Sequence, residues 1–343
     1  MEEKESPRYS VIVPVYNRPG EVDELLESLA AQTFRDFEVI VVEDGSSTPC
    51  GQVVEKYESS LDISYHYKPN TGPGQSRNAG ADRARGEYLI ILDSDVTVPP
   101  GYFEAIEKEL SRKPCDAFGG PDRAAEDFTP IQKAISYSMT SFLTTGGIRG
   151  KSTSMDKFHP RSFNMGIRRS VFSALGGFCA MRFGEDIDLS IRIFKGGYSC
   201  RLFPDAWVYH KRRTSFGKFF KQVYNSGMAR INLYKKYPDT LKLVHVFPAA
   251  FTVSCALLLI GAVFSGLSLS PIALYALLVF LDSSYKNRSA GASGAVEIGF
   301  LSVAAAFVQL IGYGCGFLRA WFVRCVLGRG DESLQAYKNN FYN

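Results

Sequence analysis

The sequence lacks several features that define common classes of small or secreted domains. Its seven cysteines are scattered, odd in number and never spaced as CxxC, which argues against a disulfide framework and against a zinc site. No apolar stretch of signal-peptide length follows the acidic and polar residues 1–8, so we expect the first part of the chain to remain in the cytosol. The net charge is only +4, without the dense basic surface of a duplex-binding protein, so no nucleic-acid partner is expected.

Charged residues are missing from two long stretches near the C-terminus, Val246–Leu281 and Ile298–Leu318. A helix over the whole first stretch would be about 54 Å long, whereas a hydrocarbon core is about 30 Å thick. We therefore predict a turn near residues 265–271, where serine, glycine and proline cluster, with a membrane helix on each side. Two buried helices of a soluble domain are the alternative, which so long an uncharged run disfavours.

Basic residues flank these stretches and predict their orientation. Nine lysines and arginines but only one acid lie within Val208–His245, and Lys286 and Arg288 follow the second predicted helix. Because positive residues favour the cytoplasmic side, both ends of the first stretch are predicted to face the cytosol. The third stretch crosses the membrane, re-enters it or lies in the interface, since three arginines follow it and Gly312–Gly316 could interrupt it.

The first 235 residues alternate between short apolar runs and amphipathic segments. Near-continuous apolar character predicts four buried strands, at Tyr9–Val15, Phe37–Val42, Ile63–Tyr67 and Tyr88–Leu92. We therefore predict an α/β fold in which a mostly parallel sheet carries helices on both faces. Ligands bind beyond the carboxyl ends of the strands in such sheets, so the residues just after each strand are the candidates for a site.

Two aspartates directly follow the fourth predicted strand. Asp93 and Asp95 point to the same side on an extended backbone, and two carboxylates held together repel unless a cation lies near them. Oxygen ligands suit Mg²⁺ or Mn²⁺, ions that usually accompany phosphates. A solvated turn with two acids is the alternative interpretation of so short a motif.

A glycine-rich segment, Lys68–Gly80, has Arg77 and Asn78 near a predicted helix start. Backbone N–H groups and a guanidinium there could hold a diphosphate, although the segment is neither a Walker A motif nor a GxGxxG motif.

Acids also open a later predicted helix, at Glu185, Asp186 and Asp188. They either stabilise the helix dipole or supply a general base whose pKa neighbouring acids raise. His210 ends an apolar segment, and a lone histidine of this kind is structural unless other ligands converge on it.

Taken in order along the chain, these segments resemble family 2 glycosyltransferases, which are inverting GT-A enzymes that use nucleotide-diphosphate sugars. The resemblance covers about residues 9–215 and depends on six segments jointly. They are Ser10–Asn17, Val42–Ser46, Asn70–Gly80, Asp93–Asp95, Asn164–Gly166 with Gly176–Phe178, and Glu185–Leu189.

The resemblance implies roles for the matching positions. Asp44 would read the nucleotide base, and the whole nucleotide-sugar set would be Pro14, Tyr16, Asn17, Asp44, Arg77, Asn78, Asp93 and Ser94. A Mg²⁺ or Mn²⁺ cofactor would be held by Asp95, Asp93 and His210. Asp186, with Glu185 beside it, would be the catalytic base, and the acceptor side would contain Asn164, Met165 and Gly166.

The resemblance thus implies a membrane-associated inverting glycosyltransferase that moves one sugar to a lipid-linked or envelope glycan acceptor. Processive members carry a QxxRW motif, which this chain lacks, since the nearest match is Gln222–Asn225. A polyprenyl-phosphate sugar synthase is the first alternative. A non-catalytic membrane scaffold is the second, and the intact acids disfavour it.

The expected organisation is a GT-A domain over residues 1–235, an α-helical membrane region over 236–330 and a polar tail over 331–343. Hydrophobic helices are predicted near 246–266, 268–285 and 296–318. The expected location is the inner, cytoplasmic membrane with several crossings and a cytoplasmic catalytic domain.

Overall fold

The computed structural model describes residues 6–123, 128–145 and 158–330 of the chain. These residues form two compact units. The first unit contains residues 6–123 and 158–211, and the second contains residues 128–145 and 212–330.

The first unit is built on a mixed sheet of seven strands in the order β3-β2-β1-β4-β8-β6-β9. Its strands are β1 (Tyr9–Val15), β2 (Phe37–Asp44), β3 (Asp62–Lys68), β4 (Tyr88–Leu92), β6 (Ala117–Gly119), β8 (Asn164–Arg168) and β9 (Cys200–Leu202). All pairs are parallel except those that β8 makes with β4 and β6. The predicted mostly parallel sheet is therefore confirmed.

Helices and a smaller sheet complete the first unit. The helices are α1 (Pro19–Ala30), α2 (Gly51–Glu55), α3 (Pro73–Ala81), α4 (Tyr102–Arg112), α7 (Arg169–Ala174) and α8 (Glu185–Lys195). The smaller sheet has the order β5-β10-β7, formed by β5 (Val96–Thr97), β7 (Asp122–Arg123) and β10 (Val208–His210).

Every residue of the three central strands β1, β2 and β4 is buried, which explains their almost continuous apolar sequence. Two apolar cores lie on opposite faces of the sheet. Alternate side chains of β1 pack into different cores: Val11 and Val13 belong to one core and Ile12 to the other. Helix α1 buries Val22, Leu25, Leu26 and Leu29, the spacing of an amphipathic helix.

The second unit is helical. It contains α5 (Pro130–Thr140), α6 (Phe142–Thr145), α9 (Phe216–Lys236), α10 (Leu243–Gly261), α11 (Ser270–Lys286) and α12 (Gly291–Trp321). A 3₁₀ turn at Gly266–Leu269 separates α10 from α11, which is where the sequence predicted a turn. Glycines allow α9 and α12 to approach closely, because a Cβ on Gly227 would overlap the backbone of Tyr313.

Three apolar segments of this unit are long enough to cross a membrane, at Leu243–Gly261, Gly266–Lys286 and Arg288–Val326. The three predicted hydrophobic helices are therefore confirmed as helices. The most apolar 18-residue windows of the first two are only 11% buried within the protein, whereas that of the third is 39% buried. Helices α10 and α11 thus expose several leucines at their surfaces.

The two compact units divide between Lys211 and Arg212, and α9 belongs to the second. The sequence predicted a domain boundary near residue 235, at the end of α9. The extents of the functional domains, 1–235 and 236–330, stay a prediction. The polar tail expected at 331–343 lies outside the described residues.

Candidate active site

The site lies beyond the carboxyl ends of β1, β2 and β4, as the rule for parallel sheets predicts. Strand β4 ends at Leu92, and the segment that follows carries Asp93, Ser94 and Asp95 into β5. Ser94 and Asp95 are buried, whereas the Asp93 side chain is 29% exposed. The DxD motif therefore presents one accessible and one largely covered carboxylate.

Asp93, Asp95 and His210 converge on one point. Each offers a ligand atom, and these atoms all lie within 4.8 Å of one another. His210 Nε2 is 3.3 Å from Asp95 Oδ1. Its Nδ1 is buried and has no hydrogen-bond partner among the residues that the structure describes. His210 therefore meets the condition stated above for a functional histidine, because Asp93 and Asp95 converge on it.

Arg18 contacts the same cluster, and the sequence reasoning missed it. Its Nη1 lies 2.5 Å from Asp95 Oδ2, and its side chain is 35% exposed. Arg18 directly precedes α1 in the loop after β1, so the rule that directs attention to strand ends could have identified it. A guanidinium beside the DxD adds positive charge where a diphosphate would lie.

Asp44, the last residue of β2, is buried beneath the glycine-rich segment. Its Oδ1 accepts a hydrogen bond from Thr71 N at 2.8 Å, and its Oδ2 accepts one from Gly72 N at 2.7 Å. Lys68 Nζ also donates to Oδ1. Asp44 therefore shapes the loop that enters α3, and its part in reading a nucleotide base stays a prediction.

The loop after β1 is joined to the loop after β2 through Asn17. Asn17 has a φ of 54°, a left-handed conformation that asparagine tolerates better than most residues. Its N–H donates to Ser46 Oγ at 2.7 Å, and its Oδ1 accepts from Thr48 N at 2.9 Å. Pro14 is buried in β1, and Tyr16 is half-buried. These residues hold the two loops together, and their contact with a nucleotide sugar stays a prediction.

Arg77 is buried, with a side chain only 4% exposed, and it joins two acids from different elements. Its Nη2 lies 2.7 Å from Asp93 Oδ1, and its Nη1 lies 2.9 Å from Glu185 Oε1. Burial raises the pKa of Glu185 to about 7, the Arg77 charge opposes this rise, and the Asp186 charge adds to it. Arg77 therefore links the DxD to the first turn of α8.

Asn78, the next residue of α3, uses its amide to hold the Gly-Gly-Phe turn. Its Nδ2 donates to Phe178 O at 2.9 Å, and its Oδ1 accepts from Phe178 N at 2.8 Å. Gly177 has a φ of 66°, and a Cβ there would lie 2.6 Å from Asn78 Oδ1. These hydrogen bonds hold α3 and the Gly-Gly-Phe turn together. Contact of Asn78 with a nucleotide sugar stays a prediction.

The three acids of α8 have different surroundings. Glu185 faces Arg77, whereas Asp188 is fully buried and pairs with Arg192 Nε at 2.8 Å. The Asp186 side chain is 15% exposed, and its Oδ2 lies 3.3 Å from Arg161 Nη1. Arg161 is a second residue that the sequence reasoning missed. The helix dipole and the ion pair with Arg192 explain the presence of Asp188. Of the other two acids, Asp186 is slightly more exposed than Glu185, at 15% against 10%.

The predicted acceptor-side residues are the start of β8 and are buried in the sheet. Asn164 Oδ1 accepts from Tyr102 OH at 2.7 Å, and its Nδ2 donates to Ala206 O at 2.8 Å. Met165 and Gly166 continue the strand between β4 and β6. Their part in binding an acceptor stays a prediction, and burial means that they would act by positioning the backbone.

Comparison with known proteins adds to this geometry. The family model described as glycosyl transferase family 2 matches residues 10–176. An uncharacterized glycosyltransferase of Haemophilus influenzae is 31% identical over 194 residues, covering 54% of this chain and 62% of that protein. The poly(ribitol-phosphate) beta-N-acetylglucosaminyltransferase TarS of Staphylococcus aureus is 44% identical over 92 residues, covering 26% of this chain and 16% of that protein. The chain thus spans less than two thirds of these relatives.

Among solved structures, the mannosyltransferase PcManGT of Pyrobaculum calidifontis, in complex with GDP-Man and Mn²⁺, shares the fold. Its TM-score is 0.61 at 18% identity, over 88% of this chain and 87% of that one. The predicted GT-A fold is therefore confirmed. The match over residues 10–176 and the related glycosyltransferases thus support a glycosyltransferase family 2 domain in the first unit, and the structural neighbour supports its GT-A fold.

Proposed function

We propose that this protein is an inverting glycosyltransferase that moves one sugar from a nucleotide-diphosphate sugar to a lipid-linked or envelope glycan acceptor at a membrane. The observation that carries the proposal is the convergence of Asp93, Asp95 and His210 at the carboxyl edge of the sheet. A solvated acidic turn would not require a histidine from a distant strand to face the same point.

The residues present fit a divalent cation. Two carboxylates and one imidazole, with ligand atoms within 4.8 Å, form a mixed oxygen and nitrogen set that suits Mn²⁺ and accommodates Mg²⁺. His210 would present Nε2 as the ligand atom, since this nitrogen is the one that faces Asp95 Oδ1, at 3.3 Å. A cation held by Asp93, Asp95 and His210 would neutralise charge on the leaving diphosphate.

The chain's own residues then account for the remaining chemistry. The acceptor hydroxyl attacks the anomeric carbon while the bond from that carbon to the diphosphate oxygen breaks, and the diphosphate leaves with the electron pair. Asp186 takes the hydroxyl proton as general base. The Asp186 side chain is slightly more exposed than that of Glu185, 15% against 10%, and its partner Arg161 is half-buried, whereas Glu185 is bound to the buried Arg77; these differences support Asp186 in this role.

Donor binding is assigned to the loops after β1 and β2 and to the backbone of the glycine-rich segment. Asn17 and Asp44 order these loops through the hydrogen bonds described above. Arg18 adds an accessible guanidinium beside the DxD, where it could pair with a diphosphate. The structural neighbour PcManGT was solved with GDP-Man, which supports a nucleoside diphosphate sugar as the ligand class.

A membrane location is supported by the three apolar helices and by their exposed leucines and phenylalanines. The basic residues of α9 and the residues Lys286 and Arg288 favour a cytoplasmic catalytic domain. Anchoring the enzyme at the bilayer would raise the effective concentration of a lipid-linked acceptor.

The experiment incubates membranes containing the full chain with a panel of nucleotide sugars, including UDP-GlcNAc and GDP-mannose, and follows products by mass spectrometry. Parallel reactions receive polyprenyl phosphate alone or a lipid-linked glycan. We expect a one-sugar mass increase on the glycan. An increase on polyprenyl phosphate alone would instead identify a polyprenyl-phosphate sugar synthase. Absence of both donor hydrolysis and transfer would contradict the enzymatic proposal.

A further inference from the structure

Arg77 occupies an unusual position for a residue expected to hold a diphosphate. Its side chain is only 4% exposed, and each terminal nitrogen faces a carboxylate, Asp93 on one side and Glu185 on the other. The guanidinium carbon lies 5.3 Å from the centre of the Phe178 ring, and Nε is buried as well. Both terminal nitrogens are therefore directed at protein carboxylates, whereas Nε has no hydrogen-bond partner among the residues that the structure describes.

The two acids belong to different elements that the backbone does not connect directly. Asp93 follows β4, whereas Glu185 is the first residue of α8, and Arg77 comes from α3. Asp93 is also one of the three candidate metal ligands. One guanidinium therefore bridges the cation cluster and the helix that carries the proposed base.

Electrostatics explains why an arginine is needed between these acids. Two neighbouring carboxylates repel, and a planar guanidinium can bind both at once through its two terminal nitrogens. A neutral residue would leave both acids without their shared partner, and a lysine would supply one point charge for two sites. The geometry of the first turn of α8 thus depends on this side chain.

We propose that Arg77 is a positioning residue, which holds Asp93 and Glu185 in a fixed relation and so keeps the first turn of α8 aligned with the cation cluster. It does not bind the donor. This inference rests on the transfer reaction proposed above for its kinetic consequence, but its structural consequence is measured without turnover.

The variants are Arg77→Gln and Arg77→Lys, made in the full chain. Arg85→Gln is the matched control, because Arg85 also bridges two acids, Glu38 and Asp62, outside the proposed site. The first measurement is hydrogen–deuterium exchange over residues 184–192. The second is affinity for UDP and GDP in the presence of MnCl₂ by calorimetry. The third is kcat and KM with whichever donor the panel identifies.

We expect Arg77→Gln to accelerate exchange at the start of α8 by about tenfold or more, since local opening becomes easier when the bridge is lost. Nucleotide affinity should stay within about threefold, and kcat should fall by about 10²-fold with little change in KM, the scale of a small misplacement. Arg77→Lys should give smaller changes, and Arg85→Gln should change none of the three measurements.

If Arg77→Gln does not fold, Arg77→Lys carries the same comparison. A loss of nucleotide affinity above tenfold with unchanged exchange in α8 would overturn the proposal and make Arg77 a donor ligand. Unchanged exchange with unchanged affinity would also overturn it. If the wild type transfers no sugar but Arg77→Gln still accelerates exchange in α8, the proposed function fails and the positioning role stands.

Discussion

His210 Nε2 lies 3.3 Å from Asp95 Oδ1 because β10 pairs antiparallel with β5. In that pairing His210 is opposite Val96, the residue directly after Asp95. Lys211 N also donates to Asp95 O at 3.2 Å, which extends the pairing by one bond. Two short strands therefore bring a histidine from late in the first unit to the DxD motif.

This relationship predicts that His210 contributes to cation binding. His210→Ala should weaken Mn²⁺ affinity by at least the 10–100-fold that loss of outer-shell partners typically costs, because a ligand atom is removed. Titration of Mn²⁺ followed by electron paramagnetic resonance measures this. His66→Ala is the control, since His66 lies on β3 and contacts Ser64 rather than the acids. Equal affinities for His210→Ala and the wild type would contradict a ligand role.

Asp95 should be needed for both cation binding and transfer. Asp95→Ala is expected to abolish transfer, and EDTA should abolish transfer by the wild type. The reason is that charge on the leaving diphosphate would lack its counter-ion. Activity measured before and after chelation, with Mn²⁺ added back, tests this. Transfer that persists under complete chelation would sink the metal-dependent mechanism and leave Arg18 to carry that role.

Removal of the proposed base should slow transfer without affecting donor binding. Asp186→Asn keeps the shape of the side chain but removes the proton acceptor, so the rate should fall by about 10²–10⁴-fold. Transfer rate and donor affinity are compared with those of Glu185→Gln and Asp188→Asn. Because Asp188 is buried against Arg192, its variant should lose stability rather than rate. Normal transfer by Asp186→Asn with a dead Glu185→Gln would reassign the base to Glu185.

Glu185 should make stability depend on pH in a defined window. Its pKa is about 7 in the folded protein, above the ordinary value of 4.5, so the folded chain keeps a proton that the unfolded chain has lost between these pH values. Stability from this group is therefore full below pH 4.5 and is lost as pH rises towards 7. The melting temperature of Glu185→Gln, measured relative to that of the wild type, should rise as the pH increases from 4 to 8. A constant difference between the two proteins would refute the raised pKa.

Asn78 should stabilise the Gly-Gly-Phe turn before α8 rather than contribute to binding of the donor. Asn78→Ala removes two hydrogen bonds to the Phe178 backbone, at a cost of about 1–3 kcal/mol for the groups left unpaired. Asn78→Asp keeps the acceptor and loses the donor, so its cost should be intermediate. Urea unfolding of the three proteins gives these values. A stability of Asn78→Ala equal to that of the wild type would show that water replaces both bonds.

Both ends of the Val246–Leu281 stretch are predicted to face the cytosol. Lys236 and Lys242 precede it, and Lys286 and Arg288 follow it. Fusion of a topology reporter after Arg288 should give a cytoplasmic signal, with a fusion after Lys236 as the reference. A periplasmic signal after Arg288 would contradict two crossings and mean that the stretch crosses the membrane once.

Local sequence was sufficient to predict elements that depend on a single pattern, such as an apolar run or a cluster of turn residues. Strands β1 and β4 begin and end at the predicted residues, because short apolar runs bounded by turn residues favour strands that are buried on both faces. The turn at Gly266–Leu269 also lies where predicted, since glycine and serine set it locally. The DxD acids could also be identified from the sequence, because they follow the predicted strand Tyr88–Leu92.

The tertiary structure decided which distant groups meet. The family resemblance already grouped His210 with Asp95. Residue spacing alone, however, brings neither His210 nor Arg18 to Asp95, and it does not place Arg77 between Asp93 and Glu185. Antiparallel pairing of β5 with β10 and the packing of α3 against the sheet create these contacts. Sequence periodicity reports which side of an element is buried, but the partner across a contact is set by strand order and helix packing. Those depend on the whole chain.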